Sequence, residues 1–137
     1  MRALLAIAVL AAASASAASA DPPLKSKVTP LQVTGRVYYV QGEAGVASAA
    51  NEGFNSNAGF VVTGAGVVVV DALGTPALGK ALRVAIAKVT KEPIRRVILT
   101  HYHADHFYGL QPLKEAGAEV WAHNAAREYF EIGRAHV

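Results

Sequence analysis

Six residues, His101-Tyr102-His103-Ala104-Asp105-His106, constrain this chain more than any other part of it. They follow Arg96-Val97-Ile98-Leu99-Thr100, a short apolar run that reads as a buried strand. The cluster therefore lies on a loop leaving a strand end, where a rigid scaffold supports binding and catalytic residues. Three imidazoles and a carboxylate at this density point to a transition-metal site, and zinc accepts both donor types. In an extended segment His101 and His103 share a face, Asp105 joins them and His106 turns away. A bend in the loop would instead divide the four side chains between two ions, His101 and His103 on one, Asp105 and His106 on the other. Metals about 3.5–4 Å apart are a recurring hydrolytic arrangement. Four side chains do not fill two such sites, so further ligands must come from elsewhere.

Other chemistries find little support. The chain has no cysteine, and no G-x-S-x-G element is present. Ser48 and Ser56 sit in small-residue loops without a paired base. There is no phosphate-binding loop, and Gly64-Ala65-Gly66 reads as a hairpin turn between two strands.

Around the cluster the pattern mixes strands and helices. Residues 33–40 alternate apolar and polar positions and predict one strand, with Tyr38 and Tyr39 on opposite faces. Residues 44–57, small and rich in Gly and Asn, predict a loop near the site. Residues 60–63 and 67–70 predict a hairpin. Thr75 is placed as an N-cap with Pro76 at the first helical position. The helix over 77–88 carries Leu78, Leu82, Ala85, Ile86 and Val89 on one stripe, with Lys80 and Lys88 outside it. Pro93 ends it, the 96–100 strand follows, and residues 110–116 predict a second helix closed by Gly117. A last strand covers 119–122. Strands first, then alternation with helices, fits half of an α/β sandwich. Phe107 and Tyr108 are read as packing residues, with a place in a substrate pocket as the alternative.

The His-x-His-x-Asp-His motif after a hydrophobic strand resembles the metallo-β-lactamase fold superfamily. Upstream support comes from Asn57-Ala58-Gly59-Phe60-Val61-Val62, from Val67-Val68-Val69-Val70-Asp71 and from Gly74-Thr75-Pro76. The pattern from Thr100 to His106 and Gly109-Leu110 is similar to secreted, quinoprotein-associated zinc hydrolases of the SoxH-like kind. The resemblance covers roughly residues 33–127. It implies an α/β chain forming the N-terminal half of an αββα sandwich, incomplete as given. It makes His101 and His103 ligands of a first zinc ion, and Asp105 and His106 ligands of a second, with Asp105 also placed to handle a proton. Iron is the alternative metal. Asp71 becomes a carboxylate bracing the metal loop from behind.

Complete members of that superfamily supply a third histidine, a bridging aspartate and a last histidine from their C-terminal half. Here only His123 and His136 follow the motif, and no acidic residue follows Glu131. His123 comes too soon to match the third ligand and is read as structural or supporting. The last residues, Ile132-Gly133-Arg134-Ala135-His136-Val137, match one reading frame of a widely used short-read sequencing adapter. The natural domain is therefore expected over residues 21–131, with 132–137 a non-native tail in which His136 has no role.

The other end carries an export signature. Met1-Arg2, then an apolar stretch from Ala3 to Ala11, runs into Ala18-Ser19-Ala20, the small residues a signal peptidase requires. Residues 1–20 are expected to be removed, leaving a secreted or periplasmic protein that starts at Asp21. The apolar stretch is too short to span a bilayer. Losing Arg2 takes the formal charge from +3 to +2, a balance that gives no case for nucleic-acid binding. Without cysteine an exported chain has no disulfides, so its stability comes from core and metal.

The resemblance implies hydrolysis of a small molecule by a metal-bound hydroxide, with an ester, thioester, lactone or amide, β-lactams included, as substrate. A persulfide dioxygenase with mononuclear iron is one rival class. A non-catalytic metal-binding fragment is another, and the truncated chain is expected to be inactive and prone to aggregate through an open sheet face. Oligomeric state is not readable from the residues.

Overall fold

A computed structural model of the chain describes residues 23–129. The leader expected over 1–20, the tail over 132–137 and His136 lie outside the described residues. The elements are β1 (Leu31–Thr34), β2 (Val37–Val40), β3 (Ala58–Val62), β4 (Val67–Val70), α1 (Pro76–Val89), β5 (Ile94–Leu99), α2 (Ala104–Phe107), a 3-10 turn (Tyr108–Leu110), α3 (Gln111–Glu115) and β6 (Glu119–Ala122). The six strands form one sheet in chain order. Pairings from β1 to β4 are antiparallel, while β4–β5 and β5–β6 are parallel. Each parallel step needs a crossover; α1 supplies the first, and α2 with α3 the second.

The single strand predicted over 33–40 is two strands. Gly35 adopts φ +45°, a left-handed conformation suited to glycine, and turns β1 back onto β2. The expected hairpin at Gly64 and Gly66 and the Thr75 cap are present: Thr75 Oγ1 accepts from Leu78 N–H at 3.1 Å, and Pro76 opens α1. The predicted second helix is present as α3, with Pro112 near its start; α2 and the 3-10 turn, which the sequence reading did not place, precede it.

One face of the sheet holds the core. Phe60, Val67, Val69, Val97 and Leu99 pack there against Leu78, Leu82 and Ile86 of α1 and Leu113 of α3. Val89, assigned to the buried stripe, is partly exposed at the helix end. Tyr38 stacks on Phe60 with ring centroids 4.9 Å apart, whereas Tyr39 faces outward. The opposite face has no covering layer among the described residues. One row of cross-strand partners, Leu31, Tyr39, Gly59, Val70, Ile98 and Trp121, runs across all six strands there. No described helix is long and apolar enough to cross a membrane.

Two glycines set the height of α1 above the metal-motif loop. A side chain on Gly79 would strike the Gly109 carbonyl, and one on Gly109 would strike the Ala72 carbonyl. Backbone therefore meets backbone along Gly79–Gly109–Ala72. Gly109 N–H donates to the Leu73 carbonyl at 2.9 Å and Ala72 N–H to the His106 carbonyl at 2.7 Å. The end of β4 and the motif helix are thereby locked together.

Candidate metal centre

The site grows from the ends of two adjacent parallel strands, β4 and β5. Asp71 N–H still donates to the Ile98 carbonyl at 2.9 Å, after which the chain breaks from the sheet. Asp71 and Leu73 both take positive φ, +62° and +67°. Such conformations are costly for non-glycine residues and persist where the surroundings dictate them. Here the surroundings are the Asp71 carboxylate contacts. Oδ1 accepts from Thr100 N–H at 2.8 Å, and Oδ2 accepts from Thr100 Oγ1 at 2.7 Å. His106 Nδ1 lies 2.8 Å from the same Oδ2. Asp71 is nearly fully buried, so these contacts replace water.

The network fixes two tautomers. A carboxylate only accepts, so the proton at His106 Nδ1 points to Asp71, and the neutral ring keeps its lone pair on Nε2. Thr100 Oγ1 spends its single hydrogen on Asp71. His101 Nδ1, 2.9 Å from Thr100 Oγ1, must therefore donate. In neutral His101 the free lone pair is likewise on Nε2, the form a metal ligand needs.

The loop bends at His103. This residue is extended at φ −68°, ψ 138° and caps α2, accepting His106 N–H at 2.9 Å. Asp105 and His106 consequently sit on a helical turn rather than continuing an extended run. The three histidine rings gather: His101 and His106 centroids are 4.1 Å apart, His101 and His103 4.6 Å. Asp105 Oδ2 lies 3.6 Å from His106 Nε2. Among the described residues, no three His, Asp or Glu side chains converge on a point that would hold an ion. By donor chemistry the cluster fits a divalent ion, with imidazole nitrogen and carboxylate oxygen grouped and two tautomers set for ligation.

Residues that sequence reading missed come from the 44–57 loop. Asn55 Nδ2 donates to Asp105 Oδ2 at 3.2 Å. Ser56 Oγ donates to the Asp105 carbonyl through a short hydrogen bond. The loop's nearness was legible; these partners, about fifty residues from Asp105, were not. His123 is exposed, its Nδ1 accepting from Ala125 N–H at 3.2 Å in a local turn. Phe107 packs against the core, while Tyr108 is exposed; the cleft both line includes Leu110, Gln111, Lys114 and Glu115 but no histidine.

The domain that carries this cluster is similar to known proteins. The metallo-β-lactamase superfamily model matches residues 51–137, and the chain belongs to that superfamily. Among solved structures, a metallo-β-lactamase from Hirschia baltica is 28% identical with a TM-score of 0.64, over 79% of this chain and 49% of that one. MEM-A1, a subclass B3 metallo-β-lactamase from a soil metagenome library, is 21% identical with a TM-score of 0.59, over 74% and 35%. The DIM-1 metallo-β-lactamase is 17% identical with a TM-score of 0.64, over 80% and 48%. The last two likenesses speak to the fold alone. This chain spans between about a third and a half of the length of these structures. No curated protein matches it.

Proposed function

We propose that this chain carries the motif half of a zinc-dependent hydrolase acting on a small ester, thioester, lactone or amide, β-lactams included. The observation that supports it is the Asp71–Thr100 network, which bonds the Nδ1 atoms of His101 and His106 and so leaves each ring's Nε2 as its free donor. His101 and His103 would hold one ion, and Asp105 and His106 a second. Such an ion, when bound, supplies an acidified water and polarises the carbonyl under attack. The chain's own part is to keep the Nδ1 protons in place through Asp71 and Thr100, and to offer Asp105 as the group that takes or returns a proton.

The reading extends to an exported protein of the SoxH-like, quinoprotein-associated kind, cleaved after Ala20 and working in the periplasm. Remaining ligands belong to the second half of the sandwich, so the chain by itself should bind zinc weakly and turn over nothing. The test is metal content by mass spectrometry and turnover of a chromogenic cephalosporin, an aryl ester, a thioester and a lactone. It is run on this chain and on this chain joined to the C-terminal half of the Hirschia baltica relative. Zinc with hydrolysis in the joined protein supports the reading. Iron with oxygen consumption on a persulfide would replace it with the dioxygenase class, and metal-free material would leave a structural fragment.

A further inference from the structure

We propose that Asn55 is a positioning residue for Asp105, fixing the orientation of its carboxylate beside His106 Nε2; this rests on the metal reading above. Asn55 Nδ2 donates to Asp105 Oδ2 at 3.2 Å. Oδ2 is also the atom nearest His106 Nε2, at 3.6 Å. The amide therefore occupies a lone pair of Oδ2, and the carboxylate's orientation becomes that of the amide. A ligand carboxylate with a fixed partner loses less freedom on binding an ion, the usual service of groups behind a metal site.

The segment carrying Asn55 is built to be rigid. Phe54 on one side is buried in the core. On the other, Ser56 Oγ bonds the Asp105 carbonyl, and Asn57 Oδ1 accepts Gly42 N–H at 3.0 Å. Earlier in the loop, buried Asn51 accepts from Ser48 N–H at 2.9 Å and Gly53 N–H at 3.0 Å, and donates to the Val46 carbonyl at 3.0 Å. Gly74 lets the strand-end loop close on this segment: a side chain there would lie 2.7 Å from the Gly53 carbonyl and 3.3 Å from Asp105 Cα.

The other end of the Asn55 amide separates this role from simple support. Its Oδ1 is buried without a hydrogen-bond partner. A buried acceptor left unpaired costs stability, so on folding grounds alone an apolar residue of the same shape would serve as well. What an apolar residue lacks is the donor on Asp105.

The experiment compares the unaltered chain with Asn55→Leu and Asn55→Ser, by Co2+ titration read in the visible d–d bands and by thermal unfolding without metal. Positioning predicts that both variants bind Co2+ about tenfold or more weakly, with altered bands, while the Asn55→Leu midpoint is unchanged or higher. Equal affinity and identical bands in either folded variant would overturn the role of Asn55 alone. Weaker binding accompanied by a lowered midpoint in both would overturn it in favour of a structural strut. An unaltered chain that shows no Co2+ bands would overturn the metal reading itself, and the proposal with it.

Discussion

Asp71 and His106, thirty-five residues apart, meet at 2.8 Å, and through that contact the end of one strand dictates how a metal-motif histidine presents its ring. The same carboxylate holds Thr100 by backbone and side chain, so one buried group organises both sides of the candidate site.

Asp71→Ala should therefore cost more than a surface charge would. Thr100 N–H, Thr100 Oγ1 and His106 Nδ1 would all lose their shared acceptor, a carboxylate that is itself nearly fully buried. A loss of about 2–4 kcal/mol is expected, since hydrogen bonds to charged groups and unpaired buried donors are the expensive kind. Zinc or cobalt affinity should fall by about ten- to a hundredfold as the tautomers are released. Urea denaturation and metal competition measure the two effects separately, and unchanged metal affinity would remove Asp71 from the site.

Gly79→Ala tests the backbone lock beneath the motif. The new methyl group would meet the Gly109 carbonyl, which is main chain and cannot swing aside. Although alanine favours a helix interior by up to about 1 kcal/mol, overpacking of this kind costs roughly 1–3 kcal/mol. Net destabilisation is expected, with α1 displaced from the 3-10 turn. A stabilised variant in the same urea experiment would show that the contact relaxes freely.

Part of this arrangement is legible in the sequence. The strand behind the His101–His106 run and the Thr75–Pro76 helix start follow local rules of spacing and capping, whereas Asp71 as a bracing carboxylate is implied only by the family resemblance. The turn at Gly35 was not legible, because apolar alternation continues through Thr34 and Val37 on both sides of it. The sequence offered the bend at His103 only as one of two arrangements: extended and helical backbone both allow the motif's spacing, and the Asp71–His106 bond accompanies the bent one. Asn55 and Ser56 escaped for a related reason. Their partner is about fifty residues away, and a side chain's long-range partner leaves no period in a sequence.

A pH effect should appear at the edge of the domain. Backbone N–H groups of Lys25 and then Ser26, at 3.0 and 2.6 Å, hold the Glu52 carboxyl below its ordinary value of 4.5. A depressed carboxylate contributes stability that is present above its unfolded pKa and lost as pH falls through the folded one. The window therefore lies below pH 4.5. Hydrogen exchange at the Ser26 amide should lose protection there in the unaltered chain, and already at neutral pH in Glu52→Ala. Glu52 is only half-buried, so global stability should respond little. A Ser26 amide equally protected in both proteins would sink the assignment.

The open sheet face makes the final prediction. Ile98 and Trp121 are directly paired on β5 and β6 and are 38% and 52% exposed, unusual values for large apolar side chains mid-strand. Arg96 lies 3.6 Å over the Trp121 ring and is bonded to Glu119 at 3.3 Å, so one charged group covers part of the patch and leaves the rest open. An apolar surface of this kind drives association unless something packs on it. Ile98→Thr with Leu31→Lys should raise the monomeric fraction of the isolated chain in sedimentation velocity, with little change in unfolding midpoint because neither side chain is in the core. In a protein whose second sheet covers this face, the same pair should instead destabilise, since it would bury a charge and a hydroxyl against apolar neighbours. Opposite signs in the two settings would identify the face as an interior surface left uncovered; a loss of stability in the isolated chain would show that the face already carries its own packing.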